Sequence, residues 1–315
     1  MGGFPKQQDG VLYLTEGGQE TEVMYRHGFE LPEFCMLPLL DDPDAVAVLE
    51  AMYESYLAVA ARHGMAALIG GLDYRASPGW ASRLGYSASD LIDRQCQAIE
   101  FLRRVAAPYE ADLPQVLIAG AVGPWGDAYD AGDGSVSPDE AEDYHGHQIT
   151  TLADLEVDLV EAMTLSSVPE AVGIARAAAS HGLPASVSFT LDATSRLMSG
   201  PTLREAIEAV DAQAGPARPA FYGVNCSHPH EFLPALEPGE WFERVRCLRP
   251  NASTKDKVEL CTLGHLEEGD PTALGSLMGQ LAARYPHIDI WGGCCGTWDV
   301  HLDQIASQVL AVRDA

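Results

Sequence analysis

Short apolar or β-branched runs alternate along the chain with longer segments whose apolar residues recur every three or four positions. The runs are Val11–Thr15, Ala66–Gly70, Gln115–Ala121, Val157–Thr164, Ala185–Thr190, Ala220–Asn225, Arg244–Arg249 and Ile288–Gly292. Strands spaced by helix-period stretches are the signature of βα units in a parallel sheet. The helices carry start signals of their own. Asp42-Pro43 supplies an N-cap and a first-turn proline, after which Leu49, Met52, Tyr53, Tyr56 and Ala60 fall on one stripe. Ser87 or Ser89 opens the next helix, with Ile92, Cys96, Ile99 and Leu102 expected on its inner face. Ser137-Pro138-Asp139-Glu140 is a capping box ahead of Ile149 and Leu152, and the last helix carries Ile305, Val309 and Val312. Repeated βα units predict an α/β fold, a single (β/α)8 TIM barrel, over a doubly wound sheet. The 315 residues suit one such barrel domain spanning 1–315.

Charge narrows the choice of partners. Nineteen basic residues stand against 46 acidic ones, a formal charge of −27. Such a surface repels nucleic-acid phosphates and anionic lipid, so the expected partners are small molecules, with no nucleic acid and no membrane. The acidic residues are spread along the chain, as in a solvated coat. The start of the chain lacks the basic and apolar regions of a signal peptide, and no apolar run reaches membrane-spanning length. A cytoplasmic protein is expected, and a homo-oligomer is left open. The polar, Gly-rich segment Gly126–Asp143 follows the third strand, where it serves either as a lid over a catalytic face or as a plain solvated loop.

Seven cysteines in a reducing compartment point to buried thiols or metal ligands rather than bridges. Cys226 ends the sixth run, in GVNCSHP, and Cys294 and Cys295 end the eighth, in WGGCCGT. The C-terminal ends of all barrel strands open onto one face, so thiols distant in sequence can converge there. Three thiolates with one open position are what a reactive zinc site needs. Gly292, Gly293 and Gly296 would let two adjacent side chains turn toward one ion. On spacing alone, a core Cys226 with a buried vicinal pair fits as well. Cys35, Cys96, Cys247 and Cys261 are expected to be inert, and His228 and His230 to be loop residues rather than ligands.

The pairing of GVNC with GGCCGT resembles the homocysteine S-methyltransferase family, whose members use betaine, S-methylmethionine or folate donors. EGGQETEV at Glu16–Val23 is similar to that family's D-G-G-x-x-T-E opening, and AGAVGPWG at Ala119–Gly126 to its G-S-x-G-P-Y-G segment. SGPTL at Ser199–Leu203 and RPN at Arg249–Asn251 echo D-G-T-x-L and Y-P-N. The resemblance implies a (β/α)8 barrel and a Zn2+ ion held by Cys226, Cys294 and Cys295. It also implies methyl transfer from a sulfonium or methylated-ammonium donor to a zinc-bound small thiol, homocysteine by default.

The departures bear on substrate. Glu16 stands where the family has the Asp that helps hold the homocysteine ammonium, and Met163 where a Glu does the same. The family's T-N-T-Y appears as GLDY, with Leu72 for Asn and Asp73 for Thr. A buried ammonium without its carboxylate costs several kcal/mol, so either Asp73, Glu161 or Glu16 compensates or the thiol is not homocysteine. Tyr74, Trp125 and Tyr129 are candidates for an aromatic surface that attracts a cationic donor, and Asn225 in GVNC completes the substrate-binding candidates. Two alternatives remain beside methyl transfer. One is a zinc enzyme of this fold acting on another thiol, catalysing C–S cleavage, or catalysing hydrolysis with Asp73 or Glu16 as base. The other is a non-catalytic binder of zinc or thiol.

Overall fold

A computed structural model describes residues 8, 10–129, 136–255 and 257–313. Eight parallel strands close into a barrel in chain order. They are β1 (Tyr13–Leu14), β2 (Ala66–Ile69), β3 (Val116–Val122), β4 (Leu159–Leu165), β5 (Ala185–Phe189), β6 (Phe221–Asn225), β7 (Val245–Arg249) and β8 (Ile290–Trp291). Closure comes from the pairing of Tyr13 with Ile290 and of Leu14 with Trp291. All eight lie within the runs expected from sequence or shift from them by a residue. No helix among the described residues is long and apolar enough to cross a membrane.

The helices are α1 (Gln19–Tyr25), α2 (Pro43–His63), α3 (Pro78–Arg83), α4 (Ala88–Ala106), α5 (Pro138–Asp154), α6 (Val168–Ser180), α7 (Leu203–Ala214), α8 (Pro229–Phe232), α9 (Lys257–Thr262), α10 (Pro271–Arg284) and α11 (Asp299–Arg313). Local chemistry sets their starts. The Asp42 carboxylate accepts from Asp44 N–H to cap α2, and Ser87 and Ser137 form reciprocal capping boxes with Asp90 and Glu140. Leu49, Met52, Tyr53, Tyr56 and Ala60 are buried against the barrel as their period requires.

Helix α4 is rotated from the expected face. Ile92 is 48% exposed and Cys96 is half-buried, while Leu91, Gln95, Ala98, Leu102 and Val105 point inward. The polar Gln95 sits within the true stripe and disguised it, and Ile99 and Leu102 are common to both. Val312, in the last turn of α11, is likewise exposed.

Inside the barrel the lower level is apolar, built from Tyr13, Leu68, Leu117, Leu159, Phe221 and Ile290. Above it the interior turns polar. Alternation along β4 directs Leu159, Glu161 and Met163 inward in succession, so the last two rise toward the open end. This change of lining positions the site.

Candidate active site

Cys226 follows the last residue of β6, and Cys294 and Cys295 lie just past β8. Their three sulfurs lie within 4.8 Å of one another, with Cys226 Sγ 2.8 Å from Cys294 Sγ and 3.5 Å from Cys295 Sγ. Ligands around a zinc ion with bonds of about 2.3 Å would stand roughly 3.8 Å apart, so the trio is on the scale of one ion. Among the described residues no other group of three His, Cys, Asp or Glu side chains is so close.

Backbone lacing holds the thiols there. Cys226 N–H donates to Arg249 O at 3.2 Å, Cys294 N–H to Pro250 O at 2.8 Å, and Ala252 N–H to Cys295 O at 3.0 Å. Cys226 takes a left-handed φ of 53°, uncommon without glycine, which aims its side chain at the other loop. Gly296 needs its own φ of 82°, with Glu267 O pressed against the place a Cβ would take. Gly292 and Gly293 serve differently from the expectation: a Cβ on either would strike Thr15 or Thr297, so their smallness lets neighbouring segments approach. Thr297 then donates from Oγ1 to Cys294 O at 2.7 Å.

The electrostatics within the trio are asymmetric. Hydrogen bonds from Cys294 and Cys295 hold the Cys226 thiol well below the usual range. The same bonding, with burial, pushes Cys294 up to about 12 and Cys295 up as well. The Tyr129 hydroxyl is a further hydrogen-bond partner of Cys226. By contrast, burial first and neighbouring carboxylates second push the Cys35 thiol up to about 11 and raise Cys247 and Cys96. None of those three joins the thiol cluster. The Cys261 side chain lies outside the described residues. His228 caps α8, its Nδ1 accepting from His230 N–H at 3.3 Å, and neither imidazole joins the thiol cluster.

The thiols form one wall of a cavity of about 280 Å³. Of the residues expected to bind substrate, Tyr74, Met163 and Asn225 line it, as does Tyr129. Asn225 bridges two walls: its Oδ1 accepts from Thr164 N–H at 2.9 Å, and its Nδ2 donates to Thr164 Oγ1 at 2.8 Å and reaches Cys294 Sγ at 3.9 Å. Thr164 is itself left-handed, with φ 61°, so Asn225 pins a strained strand end beside a thiol. Asn225→Ala is expected to weaken metal binding about tenfold or more in competition with a chromogenic chelator, because supporting shells of this kind tune metal sites on that scale.

Glu16, Asp73 and Trp125 do not line the cavity. Trp125 is 39% exposed and stacks on Tyr144, centroids 3.9 Å apart. Residues 130–135 of the lid or loop expected at Gly126–Asp143 lie outside the described residues, and its end, from Pro138, is the start of α5 rather than lid or loop. Asp73 is fully buried, with Oδ1 accepting from Ala121 N–H at 2.9 Å and Oδ2 unpaired. Burial pushes its carboxyl up to about 7, against the hydrogen bonds from Ala121 and Gln148. A carboxyl raised by folding binds more protons in the native state, so its contribution is full below the unfolded value and fades as pH rises through the native one. Between pH 5.5 and 7.5, wild-type stability relative to Asp73→Asn should fall with rising pH by on the order of 1–2 kcal/mol, measured by denaturant unfolding.

A buried ion cluster underlies the cavity. Arg249 Nη2 donates to Glu16 at 2.8 Å and Nη1 lies 3.6 Å from Glu161, all three side chains being at most 3% exposed. Nη1 also reaches Met163 Sδ at 3.1 Å, and Nε donates to Gly293 O at 3.3 Å. Burial works against the Arg249 charge, but the two carboxylates more than offset it and keep it protonated. Burial pushes Glu161 up to about 7 even with Arg249 drawing it down. Glu16 and Glu161 are thus committed to an internal cation.

Sequence reasoning passed over Gln19, Glu20 and Arg249, which all line the cavity. A signal existed for the first two. A helix opening directly after Gly17-Gly18 at the end of β1 must present its first turn to the barrel mouth.

A model of the homocysteine S-methyltransferase family matches residues 13–309. The chain belongs to the homocysteine S-methyltransferase family and is an S-methyltransferase. It is similar in structure to the homocysteine methyltransferase MmuM from Escherichia coli. The oxidized form matches with a TM-score of 0.73 at 22% identity, and the metallated form with 0.70 at 22% identity, each covering 96% of this chain and 97% of that one.

Proposed function

We propose that the chain moves a methyl group from a sulfonium or methylated-ammonium donor to the sulfur of a small thiol, homocysteine by default, beside a zinc ion held by Cys226, Cys294 and Cys295. The observation that carries this reading is the convergence of three thiols from two strand ends on the wall of one cavity. The donor set suits the metal: soft thiolates favour zinc, and a trio leaves the fourth tetrahedral position for an entering sulfur. Bound zinc would lower the pKa of that sulfur so that it enters the reaction as thiolate at neutral pH. The E. coli relative also has a metallated form, which agrees with a metal in this fold without naming it.

The chain's own residues supply position and polarity. Asn225 and the Tyr129 hydroxyl orient the thiol wall. Tyr25, Phe34, Tyr74 and Tyr129 line the cavity with ring surface, which attracts a cationic donor by about 0.5–2 kcal/mol per favourable contact. Trp125, stacked on Tyr144 outside the cavity lining, does not join them. Hydrolysis loses support, since the bases it would need, Asp73 and Glu16, are buried away from the cavity.

The test is metal analysis of the purified protein followed by transfer from methyl-labelled donors (S-methylmethionine, S-adenosylmethionine, betaine) across a thiol panel. Close to one zinc per chain and label recovered in a thioether are expected. Undiminished transfer by metal-free protein, or donor breakdown without thioether, would overturn the reading.

A further inference from the structure

We propose that Glu20 selects the acceptor: its carboxylate receives the ammonium of an aminothiol whose sulfur lies against the three cysteines. This inference rests on the thiol-methylation reading above and adds to it a specificity residue.

Glu20 lies in the first turn of α1 and lines the same cavity as the cysteines. Its position relative to them is fixed by backbone. Gly18 N–H donates to Thr297 O at 2.9 Å, and Thr297 N–H to Cys294 O at 3.0 Å. A side chain on Gly18 would collide with Cys294 O, so the two segments are in direct contact.

Among the described residues no ion pair answers its charge, which feels Arg249 and Arg75 only at longer range. Among the described residues the one hydrogen-bond partner of the carboxylate is its own backbone N–H. The cations that share the cavity are engaged elsewhere. Arg249 is held by Glu16 and Glu161, and Lys257 by Glu231 at 3.2 Å and by Leu191 O. Arg75 lies over the Trp80 ring, 3.8 Å from its centroid, and reaches Gly126 O at 3.4 Å. Asp127, the other lining acid, accepts from Tyr129 N–H at 2.9 Å. Burial pushes the Glu20 carboxyl up to about 7, a penalty that an arriving cation would remove. Met163, 8% exposed on the cavity wall, offers that cation nothing.

Both substrates of a methyl transfer can be cationic, and the chemistry separates them. A sulfonium or quaternary ammonium donor loses its charge as the methyl departs. A carboxylate paired with it would stabilise the ground state more than the transition state and slow the step. The ammonium of an acceptor keeps its charge from binding to product, so a carboxylate there binds substrate without opposing transfer. Glu20 is therefore not paired with the departing charge, and the contact of its segment with the Cys294 loop assigns it to the acceptor's ammonium rather than to a fixed ammonium on the donor.

The experiment compares the metal-loaded wild type with Glu20→Gln and Glu20→Asp. The probes are homocysteine and 4-mercaptobutyrate, which differ only in the ammonium. Binding is read by calorimetry and transfer by KM for each thiol and for the donor. Wild type should prefer homocysteine by about tenfold or more, the scale of a charge-assisted hydrogen bond. In Glu20→Gln the preference should shrink to within about twofold, and Glu20→Asp should restore part of it. Metal content and donor KM should not follow the change. Equal binding of the two thiols by wild type, equal loss on both in Glu20→Gln, or a change confined to donor KM would each overturn the assignment. If calorimetry shows the Glu20-dependent preference but no thiol is methylated, the proposed function fails and the Glu20 assignment stands. If thiols are methylated without that preference, the proposed function stands and the Glu20 assignment fails.

Discussion

Cys226→Ala protein is expected to leave a desalting column without metal and to lose methyl transfer by at least about a hundredfold, the several kcal/mol a metal contributes to such chemistry. The size of the effect follows from where the ligands come from. Cys294 and Cys295 are adjacent on one loop, and Cys226 is the proposed ligand at the other strand end. Without it the site is an open pair, too few for a stable tetrahedral ion. The fold should survive, because the hydrogen bond that ties this position to Arg249 O is a backbone bond and alanine retains it. Unfolding of the metal-free variant should match metal-free wild type to within about 1 kcal/mol. Retained metal with lost activity, or retained activity without metal, would each remove Cys226 from the ligand set.

Arg249→Met should lower stability by about 3–5 kcal/mol, since it leaves Glu16 and Glu161 buried with no counter-ion. The deficit should depend on pH with a definite sign. Burial already lifts Glu161 to about 7, and Arg249 is the group holding it down, so the variant raises it further. A carboxyl raised by folding stabilises the native state below its unfolded value and loses that contribution as pH rises through the native one. The gap between variant and wild type should therefore close as pH falls from 8 toward 5. Adding Glu16→Gln and Glu161→Gln should recover most of the loss at neutral pH. Denaturant titrations across that range check both statements. A pH-independent deficit would mean that packing of the arginine stem, rather than its charge, is what matters.

The barrel was readable from sequence because each strand run is short, apolar and followed by an amphipathic helix with its own cap. Strand ends fix where Cys226, Cys294 and Cys295 must emerge, so their meeting at one face followed from topology. What sequence could not supply was the third dimension above the sheet. Glu16 sits at a strand end like the cysteines, yet it is turned into the barrel and held by Arg249, a residue 233 positions away. Trp125 follows β3 within a few residues, but stacking on Tyr144 of α5 draws it outward. Glu20 went unnoticed because an acidic residue in a first turn is usually dipole compensation at a solvated helix start. The mistaken face of α4 has the same root, since period alone does not say which of two overlapping stripes meets the barrel wall.

The lacing of the cysteine loops has a consequence in time. Cys294 is tied to Pro250 past β7, and Gly293 N–H to Glu16 O past β1, which joins the two ends of the barrel sequence. Contacts of such separation come late, after the loops between them have been closed. A chain still short of its eighth strand therefore presents Cys226 alone, with no partner to chelate anything. If the three cysteines hold a metal, as proposed, its capture waits for the eighth strand, because two of the three thiols lie past β8.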